Sequence, residues 1–279
     1  MRHPSMEAAA ERSRLAEAFA QLTVTAGAAV MEVYGRGCAV SFKADQSPVS
    51  EADLLAEALI LEELKRCAPG IPVLAEENVS RGVKPAVDGR FILVDPVDGT
   101  REFISRNGEF TVNIALIEAG IPVVGAVYAP AIGLLWVGGR KATRCAVAPG
   151  ATVAPEDARE PIAVRAPPAG RYTALASRSH GDAATENFLA RLPIAERKTA
   201  GSSLKFCRVA EGVADVYPRF GPTMEWDTAA GDAVLRAAGG QVLAVEGGPL
   251  RYGKTASGYR NGGFVAWGEV VALDPATSA

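Results

Sequence analysis

Two stretches with helical periodicity open the chain. The first predicts a helix from Glu7 to about Tyr34, because apolar residues recur every three or four positions and Gly35 and Gly37 follow. Its predicted buried positions are Leu15, Phe19, Leu22, Ala26, Val30 and Val33. A polar segment, 42–53, leads into a second helix that Pro69-Gly70 ends. The predicted buried face of that helix comprises Leu54, Leu55, Ala58, Leu61, Leu64 and Cys67.

Short apolar runs bounded by glycine and proline predict strands in the rest of the chain. In the first half they cover 71–74, 91–94, 110–117, 123–129 and 134–137, of which the last three read as consecutive antiparallel strands. The second half alternates strands at 172–177, 214–217, 241–245 and 264–267 with helices at 182–191, 204–211 and 229–238. Between the halves, 146–168 is rich in alanine and proline, so we expect either a linker or an edge excursion there. We place a domain boundary near residue 150, between domains 1–150 and 151–279.

The run from Phe91 to Phe103 contains the closest grouping of candidate functional residues in the sequence. Four apolar residues lead into Asp95-Pro96, where we expect the strand to stop because proline lacks an N–H group. Asp98 follows, and Gly99-Thr100 opens a predicted helix. Two carboxylates beside a helix N-terminus could hold a cation and a phosphate together. On these residues alone an ordinary β-turn is equally compatible.

Composition limits which metals and partners are possible. The net charge is -3 and no basic run occurs, which argues against a nucleic-acid polymer as partner. Only two histidines are present, so a zinc or iron site is excluded in practice, and a metal would need oxygen ligands. The four cysteines are scattered without a C-x-x-C pair, which favours free thiols in a reducing compartment.

The sequence predicts neither a signal peptide nor a transmembrane segment. The first 14 residues lack an apolar core, so they predict no signal peptide. The segment 119–139 carries no charge, but Pro122 and Pro130 interrupt it, so we expect no transmembrane segment. We expect a cytoplasmic protein, and peripheral attachment to the cytoplasmic face of the inner membrane stays open.

Further acids stand where strands end or helices begin, and each has a plainer explanation. Glu76 and Glu77 could be solvated loop residues, Asp227 could cap its helix, and Asp53 could complete a capping box with Ser50. If they converge, two carboxylates about 5 Å apart repel by roughly 3 kcal/mol at an effective dielectric of 20. Such a cluster requires protonation or hard divalent cations.

Three acidic motifs together resemble a known family. Leu74-Ala-Glu76-Glu77, Asp95-Pro-Val-Asp98-Gly-Thr100 and Trp226-Asp227-x-Ala-Ala-Gly are similar, in order and spacing, to the metal motifs of the inositol monophosphatase superfamily. Segments 43–53, 102–116, 177–180, 201–207 and 217–223 resemble its branch of bacterial 3'(2'),5'-bisphosphate nucleotidases. The resemblance spans residues 14–267 and implies an α/β fold, a two-domain layered αβαβα sandwich with the active site between the halves.

The resemblance also implies roles for individual residues. Two or three Mg²⁺ ions, with Mn²⁺ as a substitute, would be held by Glu76, Asp95, Asp98, Asp227 and the backbone carbonyl of Val97. Catalysis would fall to Glu77, which helps to activate the attacking water, and to Asp53 and Thr100, which orient it and accept its proton. The N–H groups of Gly99 and Thr100 would receive the phosphate, and the nucleotide would contact Ser179, His180, Ser203 and Lys205.

These roles suit phosphoryl transfer, which depends on placement and charge neutralisation more than on covalent chemistry. The expected reaction is Mg²⁺-dependent, lithium-sensitive hydrolysis of adenosine 3',5'-bisphosphate to AMP and phosphate, linked to sulfate assimilation. Inositol-1-phosphate or fructose-1,6-bisphosphate is the alternative substrate on the same fold. A non-catalytic nucleotide- or metal-sensing protein is the alternative of another class.

Overall fold

The computed structural model describes residues 4–37, 40–42, 48–177 and 182–269. The helices are α1 (Pro4–Arg36), α2 (Glu51–Cys67), α3 (Glu76–Ser80), α4 (Thr100–Ile104), α5 (Ala183–Ala190), α6 (Leu204–Ala210) and α7 (Glu225–Ala237). Strands of the first half are β1 (Val40–Phe42), β2 (Pro48–Ser50), β3 (Val73–Ala75), β4 (Arg90–Asp98), β5 (Thr111–Glu118), β6 (Ile121–Ala129), β7 (Leu134–Gly138), β8 (Ala142–Ala146) and β9 (Glu160–Pro161). Those of the second half are β10 (Tyr172–Ser177), β11 (Ile194–Ala200), β12 (Val216–Arg219), β13 (Thr223–Met224), β14 (Gln241–Ala244), β15 (Arg260–Asn261) and β16 (Phe264–Trp267).

A seven-stranded sheet in the order β3-β4-β5-β6-β7-β8-β9 forms the first half. Only β3 and β4 run parallel, and the other neighbours are antiparallel, as predicted for the three strands after residue 110. Successive residues of β4 face opposite sides, so that Ile92 packs with α1 and α2 while Leu93 packs with the second half. Burial on both faces explains the continuous apolar run of this strand.

Strand β4 does not stop at Pro96, contrary to the expectation from the sequence. It continues to Asp98, and a bulge takes up the irregularity: Asp95 pairs with Asn113 and Asp98 with Thr111, so three steps on β4 match two on β5. A bulge leaves the extra residue outside the ladder, where the missing N–H of proline costs no hydrogen bond. The bulge brings Asp95 and Asp98 to the end of the sheet, and α4 then begins at Thr100 as predicted.

Helices α1 and α2 cover one face of this sheet, and every predicted core position of α1 is buried. The predicted face of α2 is wrong in its first turns, since Leu54 and Leu55 are both 44% exposed, whereas Leu64 is buried as predicted. The buried positions are Ala52, Asp53, Ala56, Glu57, Ile60 and Leu64. The helix is turned so that Asp53 and Glu57, four residues apart, point inward, where backbone N–H groups satisfy their carboxylates.

Helices α6 and α7 lie between the first sheet and a second one, of order β11-β10-β12-β16-β14. Helix α5 packs on the outer face of the second sheet through Leu189, beside Val216 and Trp267. The layers are therefore helix, sheet, helix, sheet and helix, which confirms the predicted αβαβα sandwich. Sequence patterns missed β8 and β11, and the short strand β9 pairs with β8. The first sheet thus reaches residue 161, while the division near residue 150 stays a prediction.

Within the described part of the chain, no helix is long and apolar enough to cross a membrane. The uncharged segment 119–139 forms the β6–β7 hairpin. Of the cysteines in the described ranges, Cys67, Cys145 and Cys207 are free thiols, and Cys38 lies outside those ranges.

Glycine allows α7 to lie directly against the first sheet. An added Cβ at Gly125 of β6 would stand 2.5 Å from the carbonyl oxygen of Ala230 and 2.7 Å from the Cβ of Ala233. A Cβ at Gly138 of β7 would stand 2.6 Å from the carbonyl oxygen of Ala233. This backbone-to-backbone contact fixes the depth of α7, and therefore the position of every side chain at its N-terminus.

We predict that Gly125→Ala lowers the free energy of unfolding by about 1–3 kcal/mol, because a packed helix backbone cannot yield to the new methyl group. Gly35→Ala is the matched control, since nothing lies within 4 Å of its Cβ position on α1. Alanine is the better helix former by up to about 1 kcal/mol, so this variant should be neutral or stabilised. Urea unfolding measures both, and equal midpoints for the two variants would contradict the close approach.

Candidate active site

Three distant parts of the chain meet at one pocket of about 280 Å³. The four acids predicted to converge all line it. They come from the start of α3 (Glu76), the bulged end of β4 (Asp95 and Asp98) and the first turn of α7 (Asp227). A pocket of this size accepts a small molecule and not a folded polymer.

Asp98 is held by groups from both halves of the molecule. Its Oδ2 accepts hydrogen bonds from the Ser202 hydroxyl and the Ser203 N–H, each at 2.6 Å, and lies 3.4 Å from the amide nitrogen of Asn113. Asn113 also donates to the Ser203 hydroxyl at 3.0 Å. The carboxylate is therefore fixed in orientation at the junction of β4, β5 and the turn before α6.

Asp227 is the third residue of α7 and not its N-cap, which is Met224. Its Oδ2 accepts the N–H of Met224 at 2.8 Å, so it closes the helix terminus from inside. The backbone carbonyl of Asp227 accepts the Ser203 hydroxyl at 2.8 Å. Ser203 thereby connects Asp98 to Asp227.

The capping-box explanation of Asp53 is correct, and it does not compete with the catalytic one. Its Oδ2 accepts both the N–H and the hydroxyl of Ser50, at 2.8 and 2.6 Å. The Thr100 hydroxyl lies 3.4 Å from the other oxygen, Oδ1, and 3.3 Å from the carbonyl oxygen of Val97. Helix α2 thus orients Asp53, and Asp53 in turn approaches the only hydroxyl of the predicted catalytic set.

The Glu76-Glu77 pair is not a solvated loop. Glu76 is half-buried in the pocket wall, and Glu77 is only 2% exposed behind it. The N–H of Glu77 donates to Oε2 of Glu57 on α2 at 2.7 Å, so α2 fixes this end of the site as well. Burial, together with the neighbouring Glu77 charge, raises the pKa of Glu57 to about 7 despite that bond.

Burial and mutual repulsion together raise the pKa values of two of the acids. Burial raises the pKa of Asp95 well above its usual value, and the charges of Glu76, Asp98, Asp227 and Asp53 raise it further. Burial and the charges of Asp98 and Glu76 likewise raise the pKa of Asp227, although the Met224 N–H works in the other direction. The protein has gathered like charges that disfavour one another.

Cationic side chains lie in the same pocket lining as the acids. Lys205 and Arg219 both line the pocket, and both are largely buried. The Lys205 ammonium donates to the carbonyl oxygens of Ala200 at 3.2 Å and Ser202 at 2.7 Å, and it lies 5.3 Å from the ring centroid of Tyr217. Burial lowers the pKa of Lys205 to about 8, with a further lowering by the Arg219 charge.

The remaining predicted residues fall into three groups. Gly99 lines the pocket with a φ of +91°, a conformation that glycine adopts without strain, and it joins β4 to α4. Ser203 is buried and supports the acids from behind, so Ser202 and not Ser203 faces the pocket. Ser179 and His180 lie outside the described residues.

The donor set fits a hard divalent cation. One oxygen each of Asp95, Asp98 and Asp227 accepts hydrogen bonds, that of Asp95 from the Val97 N–H at 3.1 Å, and among the described residues nothing donates to the other oxygen. Carboxylate and carbonyl oxygens are the ligands that Mg²⁺ and Mn²⁺ take. No three acidic, histidine or cysteine side chains in the described ranges are already placed to hold a metal ion together. The residues therefore supply the oxygen ligands that these cations take, and the side chains would have to adjust when the ion binds.

Comparison with known proteins identifies the family of this chain. The sequence pattern described as the inositol monophosphatase family matches residues 11–269. The chain belongs to this family. It is 44% identical over 247 residues to the 3'(2'),5'-bisphosphate nucleotidase CysQ of Escherichia coli strain K12, across 88% of this chain and 96% of that protein. The crystal structure of CysQ from Bacteroides thetaiotaomicron matches with a TM-score of 0.77 and 38% identity, across 92% of this chain and 97% of that one. The resemblance stated from the motifs is confirmed.

Sequence reasoning missed the residues that hold the site in place. Four residues that were not predicted as site residues contact or line the site: Glu57, Asn113, Ser202 and Arg219. Asn113 left a signal, because it interrupts the apolar run 110–117 at a position that is only 1% exposed. Glu57 left none, since a glutamate on a helix is normally solvated.

Proposed function

We propose that this protein is a divalent-cation-dependent phosphatase that hydrolyses the 3'-phosphate of adenosine 3',5'-bisphosphate to give AMP and phosphate. The observation that carries the proposal is the meeting of three acidic motifs, separated along the chain, in one pocket beside Thr100. The nucleotidase relatives support the choice of substrate. Such hydrolysis would remove a by-product of sulfate assimilation.

Glu76, Asp95, Asp98, Asp227 and the carbonyl of Val97 would hold the cations. Bound there, Mg²⁺ supplies Lewis-acid activation of water and neutralises the charge of the transferred phosphoryl group. Asp95 and Asp98 stand on the rigid end of a buried strand, and Asp227 stands on a buried helix. Rigid placement suits a reaction whose rate depends on in-line positioning.

Thr100 and Asp53 would orient the attacking water and accept its proton. Asp53 Oδ1 can accept the Thr100 hydroxyl hydrogen, which leaves the hydroxyl oxygen available as an acceptor for water. Deprotonation of the water then passes a proton toward a carboxylate that is 1% exposed and already oriented by Ser50. Glu77 would act as a second base from behind Glu76. The N–H groups of Gly99 and Thr100 would receive the phosphate oxygens.

The cationic residues of the pocket lining favour a substrate with a second phosphate. With one phosphate held at the acids, Lys205, Arg219 and Arg101 are the positively charged groups of the lining that can face another anion. A phosphate beside Lys205 and Arg219 gains charge-assisted hydrogen bonds from both side chains. Inositol-1-phosphate has no second phosphate, and fructose-1,6-bisphosphate has no nucleobase. Rates measured on these two compounds and on adenosine 3',5'-bisphosphate therefore distinguish the three candidate substrates.

The decisive assay is phosphate release from adenosine 3',5'-bisphosphate with saturating Mg²⁺ or with EDTA. We expect EDTA to abolish release, and Asp98→Asn to lower kcat at least 100-fold while the thermal melt stays cooperative, because one ligand charge is lost. Asp157→Asn, a change at an exposed acid far from the pocket, should keep full activity. Phosphate release at the full rate in EDTA would contradict the proposed cation-dependent mechanism. Binding of the nucleotide without turnover would favour the sensor alternative.

Selectivity for the second phosphate should depend on the charge of Lys205. We predict that Lys205→Met, which keeps length and removes charge, lowers the ratio of kcat/KM for adenosine 3',5'-bisphosphate over inositol-1-phosphate about tenfold, the equivalent of 1.4 kcal/mol. The pKa of Lys205 is about 8, so its charge is present below that pH and lost above it. The wild-type ratio should therefore fall as the pH rises through 8.

Lys198→Met is the matched control, because Lys198 pairs with Glu196 on the exposed part of β11 and lines no part of the pocket. It should leave the ratio and its pH dependence unchanged. A ratio that is the same in Lys205→Met and the wild type at pH 7 would show that the second phosphate binds elsewhere.

A further inference from the structure

The first turn of α7 is attached to a segment that carries no recognised motif, residues 252–261. Strand β15 pairs with β13, aligning Asn261 with Thr223. Asn261 is 3% exposed, and its amide nitrogen lies 3.1 Å from the Thr223 hydroxyl, 2.9 Å from the Met224 carbonyl and 3.0 Å from the Thr228 hydroxyl. Thr223 and Thr228 line the pocket, and Asp227 lies between them.

An ion pair between half-buried Lys254 and buried Glu225 fixes the Asn261 amide in this orientation. Lys254 Nζ donates to Asn261 Oδ1 at 2.9 Å and lies 3.3 Å from Glu225 Oε1. A lysine can only donate, so the amide oxygen must face it and the NH₂ group must face α7. Glu225 is fully buried and also accepts the N–H groups of Gly253 and Lys254, both at 2.8 Å.

The contacts of Asn261 surround one residue without touching it. Met224 donates its N–H to Asp227, and Asn261 binds the carbonyl of the same Met224. Tyr252 adds a further bond to the Thr228 hydroxyl at 3.2 Å. The 252–261 segment thus holds Met224 and Thr228, which lie on either side of Asp227 in the chain.

We propose that Asn261 is a positioning residue for the cation site: with Lys254 and Glu225 it sets the position of Asp227 relative to Asp95 and Asp98. This inference rests on the proposed function, in which Asp227 is a cation ligand. The effect passes through the backbone of 223–228, because Asn261 itself lies behind the wall. Mg²⁺ demands near-ideal octahedral geometry, so loss of this anchor should weaken cation binding before it affects other steps.

The test is calorimetric titration of Mn²⁺ into the metal-stripped full chain, with the Mg²⁺ concentration for half-maximal activity as a second readout. We expect Asn261→Ala to weaken Mn²⁺ binding at least tenfold and to raise the half-maximal Mg²⁺ concentration by a similar factor. Asn261→Ser, which keeps one donor, should fall between it and the wild type. At saturating Mg²⁺, kcat should return to within threefold of the wild type.

Glu211→Gln is the control for general destabilisation. Glu211 is the acceptor of a comparable buried network, with bonds from Trp136 at 3.1 Å and Arg144 at 2.9 Å, and none of these residues lines the pocket. It should lower the melting temperature and leave Mn²⁺ affinity within twofold of the wild type. If Asn261→Ala does not fold, Lys254→Met, which removes the donor that orients the amide, takes its place, with at least a threefold loss expected.

Two failures are distinguishable. Mn²⁺ affinity within twofold of the wild type in every folded Asn261 and Lys254 variant, or an equal loss in Glu211→Gln, would overturn the positioning role while the wild type remains cation-dependent. A wild-type chain that binds no Mn²⁺ and works in EDTA would overturn the proposed function itself.

Discussion

Repulsion among buried carboxylates is the constraint around which this protein is built. Two such groups about 5 Å apart repel by roughly 3 kcal/mol at an effective dielectric of 20, and a whole domain is stable by only about 5–15 kcal/mol. Gathering Glu76, Asp95, Asp98 and Asp227 in one pocket therefore costs a large share of what folding gains. A fold can tolerate this only if other contacts hold each acid and if protonation or a bound cation relieves the repulsion.

Those contacts come from behind the acids and cross between the two sheets. Asp98 belongs to the first sheet, but its strongest hydrogen bonds come from Ser202 and Ser203, just before α6. Ser203 also binds the backbone of Asp227 on α7. The halves are thus joined at the acids, and the close approach of α7 to Gly125 sets the spacing. The same groups that stabilise the interface position the site, so folding and function depend on one another here.

The sequence predicted which acids line one pocket better than it predicted the elements that support them. Strands ending in acids are visible as patterns, because an apolar run and a following carboxylate are adjacent in the chain. The turned face of α2 was not visible: Leu54 and Leu55 have the spacing of a core, but satisfying Asp53 and Glu57 against backbone N–H groups determines the rotation. Asn261 was equally hidden, since its importance lies in which residues surround it after folding. Periodicity reports hydrophobic burial and is silent about buried polar groups.

The bulge at Pro96 shows the same limit in the backbone. Proline usually ends a strand, and here the strand continues because the irregular register removes the need for its N–H. Local rules assume regular pairing, and sites tend to form where pairing is irregular. The end of β4 was therefore harder to predict from the sequence than the start of α4, which follows it.

Diffraction from crystals soaked in Mn²⁺, recorded for its anomalous signal, tests the central claim most directly. The account predicts at least one strong peak within coordination distance, about 2.0–2.6 Å, of oxygens from Asp95, Asp98 and Asp227. Well-diffracting crystals that show no peak there, with those carboxylates turned into separate regions, would contradict it.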